Sequence, residues 1–115
     1  MKTVYVAGPL TPQGNGHAAI EYLGNVRRMI RTSTILLNRG FAPFCPALDY
    51  NFFLALQDAE EMSEQHIKDY SMTWLRKCDM VLIIGLSSGV EKEMLEAACC
   101  GIPIYTSLQD LLEAE

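Results

Sequence analysis

A chain of 115 residues is long enough for one domain, and half of its residues are apolar, which supports one hydrophobic core. Nine Lys and Arg against fourteen Asp and Glu leave a net charge of −5, which argues against a DNA or RNA polymer as partner. The longest apolar stretches are far shorter than the ~20 residues of a membrane span, and no signal-peptide pattern opens the chain. The four cysteines form no C-x-x-C pair and have no histidine at metal-ligand spacing. We therefore expect a cytoplasmic protein with reduced thiols, no membrane contact and no metal or other cofactor.

In the first half of the chain, hydrophobic patterning predicts a strand, a long helix and a second strand. These are Thr3–Ala7, Ala18–Asn38 and Phe41–Cys45. Gly8 and Pro9 end the first strand, and Gly40 follows the helix as a C-terminal glycine would. Pro43 has no amide hydrogen, which indicates that the second strand lies at a sheet edge. Poor helix formers at Thr32–Thr34 predict a kink in the helix.

In the second half, the patterns predict two short helices, a strand, a turn, a third helix, a strand and a C-terminal helix. These are Phe52–Glu60, Glu64–Arg76, Asp79–Ile84, Gly85–Gly89, Val90–Cys99, Gly101–Tyr105 and a helix that follows Ser107. Asp79–Ile84 contains a continuous apolar run, which is typical of a strand inside a parallel sheet. Ser107 and Asp110 have the spacing of a capping box. The acidic residues Glu113–Glu115 are expected to fray.

Strands and helices alternate through the whole chain, and this order predicts a parallel sheet with helices on both faces. We therefore expect a small doubly wound α/β domain, flavodoxin-like in character, with about four strands. In such sheets ligands bind beyond the carboxyl ends of the strands. This rule selects three loops as candidate ligand contacts, which are Gly8–Gly16, Pro46–Asn51 and Gly85–Gly89.

The loop that contains Gly14 and Gly16 matches a dinucleotide-binding fingerprint in the spacing of its residues but not in its position relative to the strands. That fingerprint needs its first glycine directly after a strand and an acidic residue at the end of the second strand. Pro9 and Pro12 intervene here, and the second strand ends in Cys45, which argues against NAD. The loop amides and the following helix N-terminus remain compatible with a phosphate, and an ordinary loop is the alternative.

The segment Ser87–Glu93 follows the clearest strand and opens a helix at the ligand edge of the sheet. A helix that begins at Val90 would place Glu93 in its first turn, where the helix dipole stabilises a carboxylate by roughly 0.3–1 kcal/mol and keeps it ionised. A glutamate in the first turn also commonly serves the helix alone. Asp69 in mid-helix and Tyr5 on the first strand have similar alternatives, a solvated aspartate and a core tyrosine.

Several segments taken together resemble the nucleoside 2-deoxyribosyltransferase superfamily. These are Val4–Pro9, Asp69 with the run Trp74–Leu82, and Ser87–Glu93 with Ala97 and Gly101–Ile104. They span nearly the whole chain, so the resemblance implies a single domain of this kind over residues 1–115. It also implies that Glu93 attacks C1′ of a sugar, that Asp69 is the general acid for the departing base, and that Tyr5 holds Glu93 through its hydroxyl.

The superfamily has two reaction outcomes, transfer of deoxyribose between bases and hydrolysis of a deoxynucleoside 5′-monophosphate to a free base. Transferases carry an Asp six residues before the nucleophile, whereas this chain has Ser87 there, as in the nucleotide hydrolases. A carboxylate would repel a phosphate, while hydroxyls and turn amides accept it. The resemblance therefore implies an N-glycosidase that acts on a small-molecule nucleotide or nucleoside. The implied substrate contacts are Gly8, Pro9, Asp49, Ser87, Ser88 and Gly89.

Two other functions stay open, a transferase that moves deoxyribose between bases and a non-catalytic nucleotide-binding module of the same fold. A flavodoxin or phosphoacceptor domain is less favoured, because the first strand ends in Ala7–Pro9 rather than in an acidic pair. Members of the superfamily form dimers or larger assemblies. Together with the apolar run Phe52–Leu54, the resemblance implies a homodimer or larger homo-oligomer.

Overall fold

The computed structural model describes all 115 residues and contains four strands and five α-helices. The strands are β1 (Thr3–Ala7), β2 (Ala42–Phe44), β3 (Met80–Ile83) and β4 (Ile104–Tyr105). The helices are α1 (Ala18–Asn38), α2 (Asn51–Leu54), α3 (Glu64–Leu75), α4 (Ser88–Cys99) and α5 (Leu108–Ala114), with a 3-10 turn at Pro46–Leu48 before α2. None of the helices combines the length and the apolar composition that crossing a bilayer requires.

The four strands form one parallel sheet in the order β2-β1-β3-β4. Tyr5 of β1 lies opposite Phe44 of β2 on one side and Val81 of β3 on the other. The chain moves outward in one direction from β1 to β2 and in the other from β1 to β3 and β4, which is the flavodoxin-like doubly wound order. The prediction of a flavodoxin-like parallel sheet of about four strands is therefore confirmed. β2, with Pro43 at its centre, is an edge strand as the proline predicts.

Alternate residues of the central strands enter two separate cores, one on each face of the sheet. On the first face, helices α1 and α5 cover Val4, Val6, Met80 and Leu82 through Met29, Leu36 and Leu111. On the second face, helices α3 and α4 cover Tyr5, Ala7, Val81 and Ile83 through Leu75, Val90 and Ala97. The sheet is thus covered by helices on both faces, and Tyr5 belongs to the face that α3 and α4 cover.

Local signals set the ends of α1 and α5. The amides of Gly40 and Phe41 donate to the carbonyls of Leu37 and Leu36, at 3.2 and 3.0 Å, and Gly40 has a φ of +89°. This is a Schellman motif, so Gly40 has the role that the sequence predicts. The hydroxyl of Ser107 accepts the amide of Asp110 at 3.3 Å, which caps α5.

The segment Thr32–Thr34, for which the sequence predicts a kink, continues as part of one helix. The hydroxyl groups of its three residues donate to the carbonyls four residues earlier, at 2.8 to 3.0 Å. These bonds satisfy the hydroxyl groups within the helix, and bonds of this kind often bend a helix without ending it.

Two helix boundaries differ from the sequence-based prediction. Helix α2 ends at Leu54 rather than near Glu60. Ala59, within the range predicted as helix, has a φ of +69°, which is incompatible with a right-handed helix. Helix α4 begins at Ser88 rather than at Val90. The hydroxyl of Ser87 caps this helix by accepting the Val90 amide at 3.2 Å.

The C-terminal residue is held rather than frayed. The Glu115 side chain pairs with the ammonium of Lys2 and accepts the Tyr105 hydroxyl at 2.7 Å. These contacts join the end of α5 to the residue before the inner strand β1 and to the edge strand β4, to which Tyr105 belongs.

Candidate functional site

A cleft of about 670 Å³ opens at the carboxyl ends of β1 and β3, where the strand order reverses. Its walls come from the loop after β1, from α3 and from the first half of α4. The volume lies within the roughly 300–1,000 Å³ that is typical of small-molecule sites. The cleft also has the position that ligands take in open parallel sheets.

Seven of the nine residues singled out from the sequence line this cleft. They are Tyr5, Gly8, Asp69, Ser87, Ser88, Gly89 and Glu93. The other two, Pro9 and Asp49, do not line it. The fold therefore brings together residues from β1, α3 and α4 that are far apart in the chain.

Gly8 and Pro9 join the ends of β1 and β3 behind the cleft. A Cβ atom at Gly8 would lie 2.6 Å from Cγ1 of Ile84, and one at Gly85 would lie 2.8 Å from Cδ of Pro9. Both distances are too short for a real contact, so each glycine is needed for the close approach of the two loops. The ring of Pro9 packs against Gly85 and does not line the cleft, so contact of Pro9 with a substrate stays a prediction.

The floor of the cleft holds a hydrogen bond from the Tyr5 hydroxyl to Oε2 of Glu93. Tyr5 is 1% exposed, and its ring stacks on Phe44 with a centroid distance of 5.4 Å. The ring of Phe44 also stacks with the ring of Trp74, with a centroid distance of 6.0 Å. This aromatic packing fixes the position of the phenol, and the phenol in turn holds the carboxylate.

Burial dominates the electrostatics of Glu93. It raises the pKa of the carboxyl from an ordinary 4.5 to about 7, and the hydrogen bond from Tyr5 acts in the opposite direction. Because α4 begins at Ser88, Glu93 lies in the second turn, beyond the first turn in which a helix dipole acts strongly. The expectation of a carboxylate kept ionised by the dipole is thus corrected. Glu93 exchanges its proton near neutral pH, which is typical of catalytic carboxyl groups.

Tyr5 remains a neutral donor over the whole working range of pH. Burial raises the pKa of its phenol, and the negative charge of Glu93 raises it further. An ionised phenol beside an ionised carboxylate would be strongly unfavourable in this buried position. Tyr5 therefore holds Glu93 without competing with it as a base.

Asp69 lines the same cleft as Glu93 but is exposed to solvent. It lies in the middle of α3, and its Oδ1 accepts the side-chain amide of Gln65 at 2.9 Å. Ser63 caps the helix by accepting the His66 amide at 3.1 Å, which sets the start of α3 and so the face on which Asp69 lies. Two carboxyl groups of different exposure thus line one cleft.

Asp49 is buried, with 6% of its surface exposed, and it does not line the cleft. Its Oδ2 accepts the hydroxyl of Ser71 at 2.7 Å. Burial raises the pKa of Asp49, while the bond from Ser71 lowers it. Direct contact of Asp49 with a substrate stays a prediction, and in the structure Asp49 meets the cleft through Ser71, which lines it.

Ser71 is a cleft residue that the sequence reasoning missed. It lies on α3 between Ile67 and Leu75, two buried residues at four-residue spacing on either side. A polar residue within an apolar stripe is a signal that could have identified it. Its hydroxyl is the link between the cleft and buried Asp49.

Three cationic side chains of the cleft also escaped the sequence reasoning. Arg76 of α3 pairs with Glu96 of α4 at 2.6 Å and joins the two helices. Lys68 and Lys92 line the cleft from α3 and α4, and neither forms an ion pair. No local signal marks these residues, because only the packing of α3 beside α4 decides that they face a common space.

No group of three or more His, Cys, Asp and Glu side chains in the structure is close enough together to hold a metal ion. All four cysteines are free thiols, two of them buried and two exposed. The polar groups available to a ligand are therefore hydroxyls, carboxyls, lysines and backbone amides.

The fold and the cleft define a doubly wound parallel α/β domain with a tyrosine-held carboxyl group at its switch point. Residues 2–107 match the model of the family described as Domain of unknown function (DUF7768), and the chain belongs to this family. The match runs from β1 through β4 and includes every residue of the cleft. No curated protein matches the chain.

Proposed function

We propose that the protein is an N-glycosidase that cleaves the bond between base and sugar in a (deoxy)nucleoside 5′-monophosphate. The observation that carries the proposal is the hydrogen bond from Tyr5 to partly buried Glu93 in a cleft that Asp69 also lines. A carboxylate nucleophile and a second carboxyl group as acid are the parts that a retaining glycosidase needs. The resemblance of the sequence to the nucleoside 2-deoxyribosyltransferase superfamily supports the same assignment.

In the first step, an oxygen of Glu93 attacks C1′ as the C1′–N bond breaks. The base leaves with the bonding electron pair and takes a proton from Asp69. Since Tyr5 donates to Oε2 of Glu93, Oε1 is the oxygen free to attack. In the second step, water attacks C1′ and gives its proton to Asp69, which releases the sugar phosphate and restores Glu93.

The charges around the cleft support a phosphorylated substrate. Three of the nine basic residues line it in a chain with a net charge of −5, and two of these, Lys68 and Lys92, have no carboxylate partner. Further hydroxyls and amides at the N-terminus of α4 belong to Ser87, Ser88 and Gly89. Cations and free donors are the groups that bind a phosphate.

The proposal includes a cytoplasmic location and self-association. Free thiols at all four cysteines are consistent with a reducing compartment. Phe52 and Leu54 of α2 are exposed apolar residues that contact with a second copy would cover. Sedimentation over a concentration series tests the second point, and a monomer at micromolar protein would contradict it.

The test is chromatographic. The protein is incubated with each deoxynucleoside and its 5′-monophosphate, and free base is measured for the wild type, Glu93→Gln and the matched control Glu91→Gln, an exposed residue of the same helix. We expect base release from monophosphates only, abolished by Glu93→Gln and retained in the control. Mass spectrometry of the quenched reaction should detect a glycosyl adduct on Glu93.

Other outcomes overturn the assignment. Base exchange from unphosphorylated nucleosides, with a second base as acceptor, would make the protein a transferase. No base release, with monophosphates still raising the melting temperature, would make it a binding module. An active Glu93→Gln variant would remove the covalent mechanism.

A further inference from the structure

Asp49 is a buried carboxyl group to which the proposed chemistry assigns no step. Its side chain has one hydrogen-bond partner, the hydroxyl of Ser71, at 2.7 Å. Burying a carboxyl group is costly, and it is retained where a specific partner uses it. Any role of Asp49 at the cleft therefore acts through Ser71, which lines it.

The direction of this hydrogen bond determines what Ser71 can do. A carboxylate can only accept, so the proton between the two oxygens belongs to Ser71 and points away from the cleft. The Ser71 oxygen then offers lone pairs alone to a ligand. The same holds for Tyr5, whose proton is donated to Glu93. Both hydroxyl oxygens of the cleft floor are thus acceptors.

Ser71 lies beside the reacting end of the cleft. Ser71 lies one turn before Leu75 on α3, and Leu75 belongs to the same core as Tyr5 and as Val90 of α4. Ser71 and Glu93 therefore line the cleft on the face of the sheet that carries Tyr5. Glu93 must reach C1′, which places the sugar over this part of the floor. A group that meets the Ser71 oxygen is therefore a group of the sugar, and it must be a hydrogen-bond donor.

We infer that the Ser71 oxygen accepts a hydrogen bond from the free hydroxyl of the substrate's sugar, the 3′-hydroxyl of a deoxynucleotide. Asp49 is the positioning residue, because its carboxylate accepts the Ser71 proton and leaves the Ser71 oxygen free to act only as an acceptor. The inference rests on the proposed function, because it takes a nucleotide as the ligand.

Binding measurements test the inference without turnover. Dissociation constants are measured by calorimetry in a Glu93→Gln background for the four deoxynucleoside 5′-monophosphates and their 2′,3′-dideoxy counterparts. Ser71→Ala should weaken binding of the 3′-hydroxyl ligands by about 3- to 10-fold, the usual range for one neutral hydrogen bond, and leave the dideoxy ligands unchanged. Asp49→Ala, which removes the acceptor of the Ser71 hydroxyl, should show the same dependence on the 3′-hydroxyl.

Thr34→Ala is the matched control, since this hydroxyl on α1 bonds to its own helix and does not line the cleft. It should change binding of neither ligand set. Equal losses for both sets in Ser71→Ala would show a structural role and overturn the inference alone. A loss that follows the amino group of the base, tested with deoxyinosine monophosphate against deoxyadenosine monophosphate, would also overturn it. Absence of binding by every nucleotide to the wild type would overturn the proposed function and this inference together.

Discussion

Replacing Glu93 with Gln should stabilise the folded protein at alkaline pH, because the wild-type residue must ionise in a buried position. Burial raises the pKa of this carboxyl from 4.5 to about 7. Below pH 4.5 the group is protonated in both the folded and the unfolded chain, and folding carries no penalty. As the pH rises towards 7, the unfolded chain loses the proton first, so stability falls. Above pH 7 the full penalty is present, and the pKa difference corresponds to about 3 kcal/mol.

The measurement is urea unfolding of the wild type and Glu93→Gln at pH 5 and pH 8. Gln keeps the shape and can still accept the Tyr5 hydroxyl, but it does not titrate. We expect an advantage of about 1 kcal/mol for the variant at pH 5 and of about 3 kcal/mol at pH 8, where its Tm should be about 10 °C higher. Glu91→Gln, an exposed change on the same helix, should show no such dependence. A difference between wild type and Glu93→Gln that is the same at both pH values would refute the reasoning.

Three further results are expected. Tyr5→Phe removes a hydrogen bond that favours the carboxylate, so it should raise the pKa of Glu93 by about one to two units. A carbon NMR titration measures this change, and the acidic limb of the activity profile should move to higher pH with it. An unchanged titration would contradict the contact between Tyr5 and Glu93. Lys92→Ala should weaken binding of a monophosphate several-fold and leave binding of the nucleoside unchanged, whereas the control Lys77→Ala, outside the cleft, should change neither dissociation constant. Gly8→Ala should cost about 1–3 kcal/mol of unfolding free energy through its clash at the end of β3, and a variant as stable as the wild type would show that the two loops can separate.

Much of the fold could be predicted because its signals are local. The apolar spacing of α1, the glycine after it and the proline of β2 each act within a few residues, and each has the role that the pattern indicates. The start of α4 was predicted at Val90 because the glycine- and serine-rich segment Gly85–Gly89 is typical of a turn, whereas capping by Ser87 brings Ser88 and Gly89 into the helix. The fraying expected at Glu115 was wrong for a different reason, since its partner Lys2 lies at the other end of the chain.

In the candidate site, too, some features could be predicted from local sequence and others depend on distant contacts. Its residue types and their positions after strands were visible in the sequence, and most of the residues do line one cleft. Pro9 and Asp49 do not line the cleft, because a sequence does not tell whether a loop side chain points to the cleft or packs within the protein. Ser71 carried a faint signal as a polar residue in an apolar stripe, and the cleft lysines carried none.

By itself the sequence determined the alternation of strands and helices, the strand ends at which a ligand can bind, and the residues able to do chemistry there. These properties follow from spacing and from local capping, which need no knowledge of distant contacts. The tertiary structure alone decided that Tyr5 meets Glu93, that Ser71 meets Asp49, and that burial raises the pKa of Glu93. Each of these depends on placing α3 and α4 together over β1 and β3, because desolvation and hydrogen bonding act between neighbours in space.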